Sequence, residues 1–428
     1  MDVVILGMGA AGLSALEHLR RTEGEMGSQP ASVTVVAPEE GFPYSLCALP
    51  FSLCGELEEC HLDRCEPDYL MLHDADRATG KATSVDPDGR RVHLDTGASL
   101  RYDKLLVSTG SLPFVPPVPG LDLPGVHFLA SLSDTHGIRE WIDRGNRRCV
   151  VIGAGFVGIE AAVALAKLEC TVTVVEMLEW VLPRVFDRDA AAVAQRHLEA
   201  GGMDFRLGAQ VTEVVPGEDG AVSAAMVGEE RIDCDTVVVG IGVRPNIGFL
   251  EGTGVETNHG VLVRDDMQTS VPGIYAAGDV VEVRSRHTGE PTLGAIWPNA
   301  IGQGRVAGAA MAGKEVFYEG SEMLNVVNLF SAPAVSLGLT GFLADQAERE
   351  YEVIQFAPPG ERVFKKLLVE DDRIIGAQMV GDVANAGVVV NYMRNAWEAG
   401  DIKERIRDVE DLQEVIAGLL DDLAARII

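Results

Sequence analysis

The amino-acid sequence predicts an α/β fold in which two similar units are followed by a smaller α+β domain. The two units are marked by an internal repeat: VVILGMGAAGLSALEHL (Val3 to Leu19) and VVIGAGFVGIEAAVALA (Val150 to Ala166) each combine an apolar strand, a G-x-G-x-x-G turn and a helix of small residues. From about Glu319 onwards, short segments alternate apolar and polar residues, as antiparallel strands do, and helical patterns follow from Asn385. A chain of 428 residues is long enough for two or three domains.

Each glycine-rich turn predicts a site for one dinucleotide. The first glycine permits a sharp turn, the second lets a pyrophosphate approach the backbone, and the third lets the helix pack close to the strand. The free N–H groups and the dipole of the helix N-terminus then favour phosphate. One such turn is a weak signal, but two in the same strand–turn–helix setting predict two Rossmann-like domains. The glycines are Gly7, Gly9 and Gly12 in the first turn, and Gly153, Gly155 and Gly158 in the second.

Acidic residues beyond the turns indicate the ribose contacts. Glu176 ends the apolar run CTVTVVE, 21 residues after Gly155, which suits a carboxylate bound to a ribose 2′-hydroxyl. No Lys or Arg follows between Met177 and Pro183, so we expect NADH rather than NADPH. The alternative interpretation of Glu176 is a solvated strand end. In the first unit Ala37 occupies the equivalent place, and we expect the contact to shift to Glu39.

Two further segments fit an FAD-binding half, and they predict a discontinuous first domain. YDKLLVSTGS brings Ser108, Thr109 and Gly110 to a strand end, and VPGIYAAGDV brings Gly278 and Asp279 to another, where a carboxylate suits a hydroxyl chain. Asp279 also fits a helix N-cap. The segment IDCDTVVVGIGVRPN, which contains Gly242, is interpreted as the return of the chain from the second nucleotide unit to the first domain. The predicted ranges are 1–117 and 246–318 for FAD, 118–245 for NAD, and 319–428 for the C-terminal domain.

Charge and cysteine content limit the partners and the compartment. The formal net charge of −30 opposes binding to nucleic acid or to an anionic membrane. The N-terminal segment has no basic start, and no apolar run reaches transmembrane length, so we expect a cytoplasmic protein. An odd count of seven cysteines opposes a disulfide framework, and their spacing lacks the paired C-x-x-C of metal sites. We therefore expect no metal.

Five motifs of the chain, taken in order, resemble those of the FAD- and NAD(P)-dependent pyridine nucleotide–disulfide oxidoreductases. They are GMGAAG, LLVSTGS, VVIGAGFVGIE, GIGVRPN and GIYAAGDV. The resemblance covers nearly the whole chain, and KKLLVEDDRIIGAQMVG is similar to the family's dimerisation domain. It implies FAD and NAD(H) as cofactors, a homodimer, and cofactor contacts along the glycine turns that include Ala11 and Val157. It also implies that Phe156 is an aromatic gate over the flavin and that Glu160 lies near the nicotinamide. Helix packing and a helix-start charge are the alternatives for these two residues.

The segment PYSLCALPF resembles the single-cysteine branch of the family, which includes coenzyme A disulfide reductases, persulfide reductases and NADH oxidases. The resemblance implies that Cys47 cycles through a mixed disulfide, persulfide or sulfenic acid beside the flavin, chemistry that a thiolate supports. The alternative is a buried cysteine that acts as a small apolar residue. Cys54 is a candidate to resolve an oxidised Cys47, whereas Cys60 and Cys65 are read as bystanders.

Two departures from the branch leave the acceptor open. Ala10 stands where the oxidases and peroxidases have a histidine, and the tyrosine segment of the coenzyme A disulfide reductases is missing, with Tyr392 a poor match. The first hypothesis is therefore an NADH-dependent reductase of a small disulfide or persulfide. The second is an electron-transfer subunit that exchanges electrons between NAD and an iron–sulfur or rubredoxin-like partner. A flavoprotein redox sensor is the third, and the complete nicotinamide turn disfavours it.

Overall fold

The computed structural model describes residues 1–38, 43–340, 349–357 and 362–395. Its strands are β1 (Asp2–Leu6), β2 (Ser32–Ala37), β3 (Ala75–Thr79), β4 (Ala82–Asp86), β5 (Arg91–Leu94), β6 (Ser99–Arg101), β7 (Lys104–Val107), β8 (Ser111–Pro113), β9 (Val126–His127), β10 (Arg148–Ile152), β11 (Thr171–Glu176), β12 (Met203–Leu207), β13 (Val211–Pro216), β14 (Val222–Val227), β15 (Glu230–Asp233), β16 (Thr236–Val239), β17 (Val243–Pro245), β18 (Val261–Leu262), β19 (Ile274–Ala276), β20 (Val281–Arg284), β21 (Pro291–Thr292), β22 (Leu324–Leu329), β23 (Ala332–Gly338), β24 (Glu352–Phe356), β25 (Phe364–Glu370) and β26 (Arg373–Val380).

The helices are α1 (Ala10–Met26), α2 (Leu49–Leu53), α3 (Tyr69–Leu72), α4 (Leu132–Asp143), α5 (Phe156–Lys167), α6 (Arg188–Ala200), α7 (Trp297–Met311) and α8 (Ala386–Asn395). Short 3₁₀ turns cover Leu46–Ala48, Glu59–His61 and Gly248–Leu250. Among the residues described, no helix is both long and apolar enough to cross a bilayer.

The chain divides into two compact units. The first unit holds residues 1–48, 57–114 and 243–322, and the second holds 49–56, 115–242 and 323–428. Both units therefore combine segments that are far apart in sequence. The predicted boundaries of the FAD, NAD and C-terminal domains stay a prediction.

The first unit is built on a parallel sheet of order β19-β7-β1-β2-β3. The last four residues of β1 are fully buried and apolar, as in a sheet with both faces covered. Helices α1 and α7 pack unusually closely against each other: a Cβ on Gly304 would lie 2.3 Å from the carbonyl oxygen of Ala11, and one on Gly308 would lie 2.2 Å from that of Ala15. Only glycine permits this approach of the two backbones.

In the second unit a parallel sheet of order β12-β11-β10-β16-β9 carries the second glycine turn. The antiparallel sheet β22-β23-β26-β25-β24 follows, and α8 packs on it. The two Rossmann-like sheets and the C-terminal α+β part thus confirm the predicted fold class. The predicted helical pattern beyond Asn395 lies outside the described residues.

Strand β25 departs from the expected alternation of apolar and polar faces. Its first six residues are all buried, and Lys365 is only 2% exposed. The amino groups of these lysines form ion pairs: Lys365 Nζ lies 2.6 Å from Asp382, and Lys366 Nζ lies 2.6 Å from Asp187. Buried charges of this kind need such partners, because water no longer solvates them.

Candidate functional site

The first glycine turn joins β1 to α1 in the first unit. Gly7 has φ +109, and a Cβ there would lie 2.2 Å from the carbonyl oxygen of Ser108. A Cβ on Gly12 would lie 2.1 Å from the carbonyl oxygen of Gly7. At Gly9, by contrast, a Cβ would meet no described atom within 4 Å. The outer glycines are needed for packing, whereas the middle one faces open space into which a pyrophosphate fits.

The second turn, between β10 and α5, repeats this geometry in the second unit. Gly153 has φ +100, with a Cβ position 2.7 Å from the carbonyl oxygen of Gly240, and the Cβ position of Gly158 lies 2.0 Å from the carbonyl oxygen of Gly153. Gly155 again faces open space within the described part of the chain. Like Gly9 before α1, it caps its helix without a side-chain hydrogen bond, so the first helical N–H groups are available to a phosphate.

Glu176 ends β11 and holds the second glycine turn. Its Oε2 accepts a hydrogen bond from the backbone N–H of Ala154 at 2.7 Å, and its Oε1 accepts one from Leu178 at 2.9 Å. A carboxylate offers about four lone-pair positions, so acceptor capacity remains for a ribose hydroxyl. These two hydrogen bonds do not fit the alternative of a merely solvated strand end.

The Ser-Thr-Gly turn after β7 uses its hydroxyl groups inside the first unit. Ser108 Oγ donates to the carbonyl oxygen of Leu6 at 2.9 Å, and Thr109 Oγ1 donates to that of Asn246 at 2.8 Å. Gly110 has φ +66, in the left-handed region that favours glycine. The hydroxyl groups of Ser108 and Thr109 are therefore engaged in hydrogen bonds within the unit. The turn presents mainly its backbone to a ligand.

Asp279 lies at the end of β19, beside the same turn. Its Oδ2 accepts a hydrogen bond from Ser111 Oγ at 3.0 Å, and burial raises the pKa of the carboxyl group. The preceding N–H, of Gly278, donates to Gln303 Oε1 at 2.8 Å. Strand β20 follows Asp279, not a helix, so the N-cap alternative is wrong. The half-buried carboxyl group keeps acceptor positions that suit the hydroxyl groups of a sugar-like chain.

Helix α5 carries the other predicted residues of the second turn. Phe156 and Val157 begin the helix and are half-buried, and Gly158 is buried. Glu160 is the fifth helical residue, beyond the first turn, which contains no acidic residue, so the alternative of a helix-start charge is wrong. Burial raises the pKa of Glu160 to about 7.

Cys47 lies on the 3₁₀ turn Leu46–Ala48 and is exposed. The interpretation of a buried apolar cysteine is therefore wrong. The segment before the turn is held by a backbone hydrogen bond, because Ser45 N–H donates to the carbonyl oxygen of Leu62 at 2.9 Å. Cys54 belongs to the other unit, and burial raises the pKa of its thiol.

The remaining predicted residues contribute in different ways. Ala11 is buried under Gly278, Gly242 is exposed with φ +112, and Glu39 lies outside the described residues. Sequence reasoning missed Ser111 and Gln303. Ser111 directly follows the Ser-Thr-Gly turn, which is a usable signal, whereas nothing in the sequence links Gln303 to Gly278.

Comparison with known proteins gives a consistent result. The family described as pyridine nucleotide-disulphide oxidoreductase matches residues 1–304. The chain is 32% identical over 408 residues to an NADH oxidase of Methanocaldococcus jannaschii, covering 89% of this chain and 88% of the relative. It is 30% identical over 413 residues to the epsilon subunit of an NADH-dependent phenylglyoxylate dehydrogenase of Aromatoleum evansii, covering 94% and 93%. Among solved structures, an NAD-dependent persulfide reductase from A. fulgidus superposes with a TM-score of 0.84 at 31% identity, covering 92% of this chain and 77% of that one.

The glycine turns and the carboxylates beside them fit two dinucleotides, and the family match requires the same. The expected resemblance is confirmed, including the kinds of relative that it named. The chain belongs to the pyridine nucleotide-disulphide oxidoreductase family and is an NAD(P)H-dependent flavoprotein oxidoreductase that uses FAD and NAD(H).

Proposed function

We propose that this protein passes two electrons from NADH to a small disulfide or persulfide through Cys47. The observation that carries this proposal is the exposed position of Cys47, on a turn that follows the carboxyl end of β2 in the unit of the first glycine turn. Ligands of open α/β sheets bind outside the carboxyl ends of the strands. The similarity to the persulfide reductase from A. fulgidus supports the same acceptor class.

Each unit would hold one of the two cofactors. FAD would be held in the first unit by Gly7, Gly9, Ala11, Gly12, Glu39, Ser108, Thr109, Gly110, Gly278 and Asp279. NADH would be held in the second unit by Gly153, Gly155, Phe156, Val157, Gly158, Glu160, Glu176 and Gly242. When bound, FAD accepts hydride from NADH and passes the electron pair on. The protein supplies binding, orientation and the exclusion of water.

Cys47 supplies the sulfur chemistry. Its thiolate attacks one sulfur of the acceptor, so that a mixed disulfide forms at Cys47 and the other sulfur leaves as a thiolate. Two electrons from NADH and one proton then cleave the mixed disulfide. This step restores the Cys47 thiolate and releases the second sulfur as a thiol. One NADH is thus consumed for each acceptor bond that is cleaved.

A second candidate function is an electron-transfer subunit, in which Cys47 takes no part. The similarity to the epsilon subunit of a phenylglyoxylate dehydrogenase favours it, because that relative is one subunit of a larger enzyme. The net charge of −30 suits docking to a basic protein partner. In this function an iron–sulfur or rubredoxin-like protein takes the place of the small acceptor.

We also propose a homodimer and a cytoplasmic location. Val326 on β22 and Val353 on β24 are 56% and 50% exposed, on the two edge strands of the C-terminal sheet. Exposed apolar side chains of this kind suit an interface between copies of the chain. Light scattering of the purified protein measures the mass directly, and a monomer would contradict this part of the proposal.

A panel of acceptors separates the two functions. NADH oxidation is followed without oxygen, with polysulfide, a low-molecular-weight disulfide, or a reducible rubredoxin as acceptor. The proposed function predicts turnover with a sulfur compound that is lost in Cys47→Ser, while this variant still reduces the protein acceptor or a dye. Equal turnover of sulfur compounds by the wild type and Cys47→Ser would favour the electron-transfer subunit.

A further inference from the structure

The 3₁₀ turn Glu59–His61 gathers three chemically different donor groups on the surface of the first unit. A carboxylate oxygen of Glu58, Sγ of Cys60 and an imidazole nitrogen of His61 all lie within 4.8 Å of one another, and all three residues are exposed. None of them takes part in the cofactor sites described above. The cluster is therefore available to a ligand of its own.

The backbone of the turn fixes the spacing of these groups. Glu58 precedes the turn in extended conformation, and its carbonyl oxygen accepts a hydrogen bond from the N–H of His61 at 3.0 Å. The Cys60 thiol already points to the carboxylate, with Sγ 3.8 Å from Oε2 of Glu58. Behind the turn, Leu62 is 1% exposed and anchors the segment in the protein. The three donors consequently approach one another without a rearrangement of the chain.

The combination of donors selects one class of ion. Thiolate, imidazole and carboxylate together suit Zn²⁺ and similar borderline-soft divalent cations, whereas Mg²⁺ and Ca²⁺ prefer oxygen donors. Three protein ligands leave a fourth tetrahedral position for water or another donor. The surroundings attract cations, because Glu59, Asp63 and Glu66 follow closely in the sequence and the net charge is −30.

We propose that Glu58, Cys60 and His61 form a binding site for one zinc-type divalent cation. The site is connected to the segment that leads to Cys47, because the carbonyl oxygen of Leu62 accepts the Ser45 N–H at 2.9 Å and Arg64 N–H donates to Pro43 at 2.8 Å. A bound ion would hold the turn that supports this segment.

The test is equilibrium dialysis of the FAD-containing protein against buffered free Zn²⁺, with bound zinc measured by elemental analysis. Every protein carries Cys47→Ser, which removes the other exposed thiol of this region. Cys60→Ser and His61→Asn are compared with the matched controls Cys65→Ser and His259→Asn. Cys60, His61 and His259 are exposed and Cys65 is half-buried, and an unchanged flavin spectrum shows that each variant keeps the folded FAD-binding unit.

The proposal predicts one zinc ion per chain, with binding weakened about tenfold or more in Cys60→Ser and in His61→Asn and unchanged in both controls. Retention of full zinc affinity in Cys60→Ser, equal losses in the controls, or no zinc bound by the parent protein would overturn it. None of these results depends on the electron acceptor, so they are independent of the proposed function.

Discussion

The backbone N–H of Ala154 donates a hydrogen bond to Oε2 of Glu176 at 2.7 Å, so the carboxylate that ends β11 holds the glycine turn that follows β10. Oε1 of the same carboxylate binds the N–H of Leu178. Glu176 therefore fixes the shape of the turn, and we expect its remaining acceptor positions to bind a ribose hydroxyl. Its substitution should affect the NADH site and leave the first unit unchanged.

Glu176→Ala tests the assignment of the ribose carboxylate. Loss of charge-assisted hydrogen bonds costs about 1.5–3 kcal/mol, so the KM for NADH should rise about tenfold to a hundredfold. Preference for NADH over NADPH should decrease, because the charge that repels a 2′-phosphate is gone. Glu179→Ala, which removes an exposed carboxylate three residues later, is the control. Unchanged steady-state kinetics with both nucleotides would show that Glu176 makes no ribose contact.

Gly155→Ala and Gly158→Ala separate binding from packing. A Cβ on Gly155 meets open space and its φ of −76 suits alanine, so this variant should fold, keep its FAD and bind NADH more weakly. A Cβ on Gly158 would lie 2.0 Å from the carbonyl oxygen of Gly153, so that variant should be destabilised by about 1–3 kcal/mol or more. Thermal melting and NADH titration of both proteins check the contrast. If instead Gly155→Ala were the destabilised variant and Gly158→Ala the one that binds NADH more weakly, the result would be incompatible with a phosphate at Gly155.

Asp279→Ala should weaken FAD binding. The carboxylate is half-buried and accepts a hydrogen bond from Ser111, and its removal costs about 1.5–3 kcal/mol if it also binds the hydroxyl chain of the cofactor. The FAD content after dilution and gel filtration should therefore fall, and added FAD should restore it. Asp265→Ala, an exposed carboxylate of the same unit, provides the comparison. Equal FAD retention in both variants would remove Asp279 from the site.

The raised pKa of Glu160 predicts that the stability of the protein depends on pH. Its folded pKa of about 7 lies above the ordinary value of 4.5, so between these values the folded state holds a proton that the unfolded state has lost. Stability should therefore fall as the pH rises through this window, by about 3 kcal/mol at most. Glu160→Gln should remove this loss, which predicts a higher Tm than the wild type at pH 8 and a similar Tm at pH 4.5. Parallel curves of Tm against pH for the two proteins would contradict the prediction.

The fold was predictable because its main elements depend on local sequence. Each glycine turn requires glycine at fixed positions, and the strands before the turns are continuous apolar runs. The contacts that complete the sites were not predictable, because they join distant segments: Thr109 with Asn246, and Ser111 with Asp279. Hydrogen bonds of this type follow from the tertiary fold, not from a local pattern.

The burial of the β25 lysines has a related cause. The segments after Glu319 were expected to alternate apolar and polar residues, but Asp187, which lies 179 residues before Lys366, allows burial of that charge. The proposed metal site likewise does not follow from the cysteine spacing, which predicts no metal: the structure brings Cys60 together with Glu58 and His61 on one turn.

The central claim, that Cys47 is a redox centre in addition to the flavin, is tested most directly by an anaerobic titration of the oxidised protein with NADH. The absorbance of the flavin is followed to full reduction, for the wild type and for Cys47→Ser. If the oxidised protein holds a sulfur centre in addition to the flavin, the wild type should take up about four electrons per flavin, and Cys47→Ser should take up about two. Uptake of about two electrons by both proteins would contradict the claim and would favour the electron-transfer subunit.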